Sequence, residues 1–273
     1  VRTYLRSHIF PHKTYSMLKH NGLTDCLYIF VASTEEKALY EHALEGQSYK
    51  EIIVGLPGGA NAIRAICSHF PIGQRIVFID DDHDSFFEYD QEGKIRKNSD
   101  NLKYYLNDGF AMIDTHNCGA FTFSFIQNAF WLRKKEFKEI RPFTLAGSFF
   151  CTRNQPELIV TDYSHGDDIV RSVRYLDRYG GVLVYWKAGF VTKYGTLEGG
   201  LQSSGDRGSD TLKTTHDISW AEYLSDPLLQ CYAHPPKQEK TNPFVSMKMK
   251  SLAALRKAMR DRKVECRENV FSR

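Results

Sequence analysis

The sequence predicts an α/β fold: a mostly parallel sheet with helices on both faces, followed by a basic helical extension. Three observations carry that reading. β-Branched and aromatic runs at residues 27–33, 51–55 and 75–79 alternate with helix-like stretches at 34–45 and 60–70. Alternation at this spacing builds parallel strands joined by crossover helices. Residues 76–82, Ile-Val-Phe-Ile-Asp-Asp-Asp, turn from apolar to acidic in one step. Pro235-Pro236 then marks a boundary before a segment rich in Lys and Arg.

Taken in order, residues 1–5 read as a first strand and residues 14–20 as a helix. Ser33-Thr34-Glu35-Glu36 opens the helix at 34–45 with a capping pattern. Residues 119–132 and 143–151 are aromatic-rich and read as extended chain. A helix is expected over 167–179 and a short strand over 182–186. Residues 195–208 hold five glycines and two serines, which suits a mobile loop, either a lid or a plain surface connection. Residues 247–262 have helical periodicity with basic residues on one face. These readings divide the chain into a body, 1–236, with halves at 1–115 and 116–236, and a tail, 237–273.

With 273 residues, 42% hydrophobic and 25% charged, the chain is long enough for a substantial core and reads as globular. Its longest apolar runs, 27–32 and 181–186, are strand-sized, so no membrane partner is expected. The N-terminal residues lack the order of a signal peptide, which points to a cytoplasmic protein. The six cysteines are dispersed without a Cys-x-x-Cys pair, against a zinc ribbon or disulfide scaffold and for a reducing compartment. The net charge of +3 hides an asymmetry. From Lys237 onward 11 Lys and Arg face 4 Asp and Glu, leaving 25 against 29 in residues 1–236. A basic tail on a mildly acidic body suits a polyanion, with Lys248, Lys250, Arg256, Lys257 and Arg260 meeting DNA phosphates as charges. A solvated amphipathic helix accounts for the same composition.

The candidate site starts at Asp80, Asp81 and Asp82. A buried strand needs the apolar run before them, but a core does not tolerate unpaired carboxylates. Such a cluster needs water or a hard divalent cation, which takes oxygen ligands and bridges phosphates. Thr3, Tyr4 and Arg6 follow the first strand and offer a ring and a guanidinium for a base and a phosphate. Gly58 and Gly59 form a tight turn into a helix that carries Arg64, a geometry that can meet an anion. Asp167 and Asp168 open the later helix, where they either complement its dipole or do chemistry. Lys193 and Arg207, beside and within the glycine loop, can close on a diphosphate. His165, His216 and His234 are each candidates for a further metal ligand, and His216, just after that loop, is the choice.

In order along the chain stand Thr-Tyr-Leu-Arg at 3–6, Tyr-Ile-Phe-Val-Ala at 28–32 and Ile-Val-Gly at 53–55. Then come Ile-Asp-Asp-Asp at 79–82, Gly-Asp-Asp-Ile-Val-Arg-Ser at 166–172 and Thr-Lys-Tyr at 192–194 with Gly199-Gly200. This ordered set resembles the GT-A glycosyltransferases, in particular viral and bacteriophage enzymes associated with DNA-base oxidation, and is similar to the kinetoplastid enzyme that makes base J. The resemblance spans roughly residues 1–236. It implies metal-dependent transfer, with Mn2+ or Mg2+, of a hexose or pentose from a UDP-sugar to the hydroxyl of 5-hydroxymethylcytosine or 5-hydroxymethyluracil in DNA; a single well-placed carboxylate as general base suffices for inversion. Asp168 would be the general base and Asp167 would hold sugar hydroxyls. Asp82 would carry the metal, with Asp80 nearer the ribose. One departure stands out. The family helix commonly opens Glu-Asp with a second Glu two positions on, where this chain has Asp167, Asp168 and Val170.

Rival readings are a GT-A enzyme acting on a polysaccharide or protein, an inactive glycosyltransferase-like DNA-binding module, and a Mg2+-dependent nuclease or phosphatase. The two carboxylate clusters disfavour the binding module. The Arg6, Arg64 and Lys193 set disfavours the nuclease.

Overall fold

A computed structural model describes the chain except for residues 91, 93, 125–127, 133, 146, 164–165, 193–208, 239–244, 267–268 and 272–273. The first third alternates as expected: α1 (Thr14–His20), β1 (Tyr28–Val31), α2 (Thr34–Ala43), β2 (Glu51–Val54), α3 (Gly59–His69) and β3 (Arg75–Ile79). A hairpin, β4 (Ser85–Tyr89) and β5 (Ile95–Lys97), precedes α4 (Leu102–His116), β6 (Ala120–Phe123), α5 (Ala129–Leu132), β7 (Lys138–Arg141) and β8 (Phe149–Arg153). Then follow α6 (Pro156–Ile159), α7 (Asp167–Tyr179), β9 (Val182–Tyr185) and β10 (Ala188–Val191). The chain continues through α8 (Ser209–Ser225), α9 (Pro227–Tyr232), β11 (Ala233–Gln238), β12 (Val245–Met249), α10 (Leu252–Asp261) and β13 (Asn269–Phe271). Among the described residues no helix is long and apolar enough to cross a membrane.

The main sheet has the order β13-β7-β9-β6-β8-β3. Residues 1–3 lie between β3 and the parallel β1–β2 pair: Arg2 N–H donates to Ile79 O at 3.3 Å and Thr3 N–H to Phe30 O at 3.2 Å. The first expected strand is therefore a single parallel bridge, Arg2 to Phe30. Within the six-stranded sheet only β6–β9 pairs parallel; β8 runs against both β3 and β6, and β7 against β9. The expectation of a mostly parallel sheet is corrected to a mixed one. Since β3 and β6 both oppose β8, and β9 follows β6, these three strands end at the same edge. The Asp triplet lies there.

Aromatic packing holds the layers together. Phe78 stacks on Phe150 across β3 and β8 with ring centroids 4.4 Å apart. Tyr105 and Phe110 of α4 meet Phe121, Phe123 and Tyr185 beneath the sheet. A Cβ at Gly109 would stand 2.5 Å from Phe121 Cζ, so only glycine lets α4 come this close. At the outer surface Asp114 of α4 accepts from Arg75 at 2.7 Å and from Arg153 at 2.9 Å, tying the helix to β3 and β8. Two aromatic-rich stretches differ from expectation. Residues 119–132 do not form one extended run, because β6 ends at Phe123 and α5 takes Ala129–Leu132; the second begins its strand only at Phe149.

The C-terminal segment is not an appendage. The 236/237 boundary falls inside β11, which pairs antiparallel with β12. Met247 and Met249 alternate with Lys248 and Lys250, a period of two that belongs to a strand. Helix α10 buries Leu255 and Met259 in a cluster with Ile169, Val173 and Leu176 of α7 and Leu229 of α9. Strand β13 then forms the outer edge of the main sheet against β7. The expected basic helical extension is thus a hairpin, a helix and a strand folded into the body.

Candidate functional site

Three segments build the site: the turn after residues 1–3, the triplet after β3, and the start of α7. Leu5 adopts a left-handed conformation, φ 54°, which turns the chain so that Arg6 points back at the triplet. Glu36 holds this turn. Its carboxylate accepts from Leu5 N–H at 2.5 Å and Ala32 N–H at 2.7 Å, while Ser33 Oγ accepts from Glu36 N–H at 3.2 Å. The serine half of the capping box forms; the glutamate half serves the site loop.

Each triplet carboxylate has a guanidinium partner. Asp80 Oδ1 accepts from Arg2 Nε at 2.6 Å. Arg6 Nη1 donates to Asp81 Oδ1 at 2.7 Å and Asp82 Oδ2 at 3.0 Å. Thr3 Oγ1 bonds both Asp81 and the Tyr40 hydroxyl. Burial pushes the Asp81 carboxyl up to about 6, against the opposing pull of Thr3 and Arg6. Arg6, with 8% of its side chain exposed, is therefore an internal counter-ion for the triplet as well as a candidate phosphate ligand. Thr14, at the start of α1, donates to Asp80 O at 2.8 Å and accepts from His83 N–H at 3.0 Å. Lys13 ion-pairs with Asp84.

The triplet and the helix start are joined through residues 147 and 148. Gly147 O accepts from Arg2 Nη2 at 2.5 Å. Ser148 O accepts from Asp80 N–H at 3.0 Å and lies 3.1 Å from His83 Nε2. Gly147 in turn packs on Asp168: a Cβ built there would meet Asp168 Cβ at 3.6 Å. Asp167 Oδ2 accepts from Arg171 Nη2 at 2.7 Å, and Asp168 Oδ1 from Ile169 N–H at 2.9 Å. Burial raises both carboxyls, but Arg171 and then Arg2 outweigh it at Asp167, which is held below its ordinary value. At Asp168 burial and the neighbouring Asp167 leave the carboxyl above it. Two adjacent acids thus have opposite tendencies, the pattern that separates an acid/base group from a charged partner.

The other expected residues are more dispersed. Tyr4, 40% exposed, stands at the rim. Gly58 caps α3 with φ 99° and no side-chain cap, and Gly59 is the first helical residue. Arg64 ion-pairs with Asp162 and donates to Asn61 at 3.0 Å. His165, Lys193 and Arg207 lie outside the described residues. His216 stacks on Trp220 of α8 and has Asp217 3.6 Å away. Among the described residues no three His, Cys, Asp or Glu side chains are grouped to hold a metal ion, so Asp80, Asp82 and His216 do not form one ligand set. The five basic residues do not share a helical face, because Lys248 and Lys250 belong to β12 and its end. Lys250 Nζ donates to Gln230 O at 2.7 Å and Lys257 pairs with Asp261 at 2.6 Å, whereas Arg256 and Arg260 are exposed one turn apart on α10.

Sequence reasoning passed over Arg2, Glu36, His83 and Arg171. Two signals were available: Arg171 lies four residues after Asp167, an ion-pair spacing on a helix, and His83 follows the triplet directly. Arg2 and the second role of Glu36 depend on contacts between distant segments. Compared with known proteins, the chain matches no family model and no curated sequence.

Proposed function

We propose that this protein is a GT-A-type glycosyltransferase that moves a sugar from a UDP-sugar to the hydroxyl of a 5-hydroxymethylpyrimidine in DNA, with inversion. The observation that carries the reading is the approach of two carboxylate clusters, Asp80–Asp82 and Asp167–Asp168, joined by Arg2 and residues 147–148. A sugar donor needs both: cations at the diphosphate and a base at the acceptor. The parallel β1–β2 pair, its helices and a site beyond the strand ends support nucleotide binding. The choice of DNA as acceptor rests on the sequence resemblance.

In this reading Tyr4 supports the base, and Arg2 and Arg6 place positive charge beside the diphosphate. Asp168 accepts the proton as the acceptor O–H bond breaks. The freed oxygen pair attacks the anomeric carbon, and the C–O bond to the diphosphate breaks with its electrons leaving on phosphate. Asp167 holds sugar hydroxyls. Asp82 and Asp80 are hard oxygen donors suited to Mn2+ or Mg2+, and two carboxylates fit such an ion when donor phosphates supply further ligands. Asp82 and Asp80 would hold the ion, whose contribution would be positive charge against the diphosphate.

The test is intact-mass analysis of hydroxymethylated DNA after incubation with a panel of UDP-sugars and Mn2+. A mass increase of one sugar that is lost in Asp168→Asn supports the reading. Donor hydrolysis without transfer to DNA moves the acceptor to a glycan or protein. No hydrolysis of any donor overturns the enzyme class.

A further inference from the structure

Arg171 is the fifth residue of α7, one helical turn after Asp167. It is 1% exposed, one of the largest fully buried side chains. Its guanidinium lies 4.5 Å from the Phe150 ring centre. Nε donates to Ile159 O at 3.3 Å and Nη2 to Asp167 Oδ2 at 2.7 Å, while Nη1 is buried without a hydrogen-bond partner among the described residues. Burying a guanidinium is costly unless it is paired and bonded, and a helix surface would have accepted Arg at less cost. Among the described residues its carboxylate partner is the half-buried Asp167.

The two acids point to different donors. Asp167 is drawn along the helix to position 171, whereas Asp168 turns to the Ile169 N–H and packs on Gly147. Among the described residues the charged groups facing the pair are Arg171 on α7 and Arg2 from residues 1–3, with Asp80 on Arg2. The link from α7 to residue 145 is also fixed, since Ser172 Oγ donates to Asp168 O at 2.6 Å and accepts from Leu145 N–H at 2.8 Å.

We propose that Arg171 is a positioning residue: it fixes Asp167 as the permanently charged member of the pair and leaves Asp168 as the member that takes up a proton. The role in catalysis rests on the glycosyltransferase reading; the division of the pair does not. With Arg171 neutralised, Asp167 loses its donor and a like charge next to Asp168 loses its counter-charge. Both acids then hold protons to higher pH.

Two measurements on Arg171→Met and Arg171→Lys test this. NMR titration of the Asp167 and Asp168 carboxyl carbons, assigned with Asp→Asn variants, reads the pair without any substrate. The proposal expects both transitions to move upward by about one pH unit or more in Arg171→Met, with recovery of Asp167 in Arg171→Lys. The acid limb of the kcat–pH profile should move in the same direction, with about tenfold loss below the limb. Unchanged titration in Arg171→Met, or a kcat lowered equally at every pH, overturns the proposal. Should Arg171→Met fail to fold, Asp167→Asn/Arg171→Met removes both partners of the buried pair, which such sites tolerate better than removal of one. In that double variant Asp168 should titrate below its wild-type position, because its like-charged neighbour is gone; a position at or above wild type overturns the proposal. Shifted carboxyls in a protein that transfers no sugar would retain the paired device and remove the catalytic reading.

Discussion

Arg2 and Asp80, 78 residues apart, meet through Nε and Oδ1 at 2.6 Å, and the same guanidinium reaches Gly147 O at 2.5 Å. One side chain therefore ties the Asp triplet to the segment that packs on the acidic helix start, beside the Asp80 N–H to Ser148 O bond. Arg2→Lys should retain part of this function and Arg2→Met little, because an ammonium cannot serve two acceptors in the planar geometry of a guanidinium. Transfer rates should fall about 10²-fold in Arg2→Met, the scale for losing a pre-oriented charge donor, with the melting temperature changed far less in Arg2→Lys. Initial rates and thermal melts on the two variants decide it; equal rates would assign Arg2 to structure alone.

Metal dependence should map onto the triplet and not onto α8. Calorimetric UDP affinity in Mn2+ should fall at least tenfold in Asp82→Asn and change less than about twofold in His216→Ala, since a lost charged ligand costs more than 1.4 kcal/mol. A large His216 effect would bring α8 into the ligand set.

The C-terminal segment should behave as core. Met259 is fully buried beneath α7 and α9, so Met259→Ala should cost about 2–5 kcal/mol of stability. Urea midpoints measure this. Truncation before β12 should unfold the protein, whereas a freely attached tail would leave the midpoint unchanged.

Acid stability should depend in part on Asp114. Burial pushes its carboxyl upward, but hydrogen bonds from Arg75 and Arg153 outweigh burial and hold it below its ordinary value. A depressed carboxyl stabilises the fold above its unfolded value of about 4 and loses that contribution as pH falls through the lower folded value. For partners this open to solvent the amount is about 1 kcal/mol or less. Asp114→Asn should flatten the urea midpoint against pH between roughly pH 5 and 2 and leave no difference from wild type at the acid end.

The local part of this structure was legible from residue order. Helix α1 spans the expected Thr14–His20 and α7 the expected Asp167–Tyr179. In α7 the buried Ile169, Val170, Val173 and Leu176 recur at helical spacing, and Gly180, φ 75°, stops it. The triplet at the end of β3 was equally plain, because an apolar run cannot continue through three carboxylates. Those features depend on neighbours a few residues away. Strand direction and long-range pairing do not. The mixed order of β3, β8 and β6 and the pairing of β13 with β7 join segments far apart in the sequence. Likewise, the sequence by itself determined that Asp80–Asp82 and Asp167–Asp168 are clusters of charge. Only the tertiary structure decided that Arg2 and Arg6 neutralise the triplet, because a buried charge takes its partner from whatever the fold brings within hydrogen-bond reach.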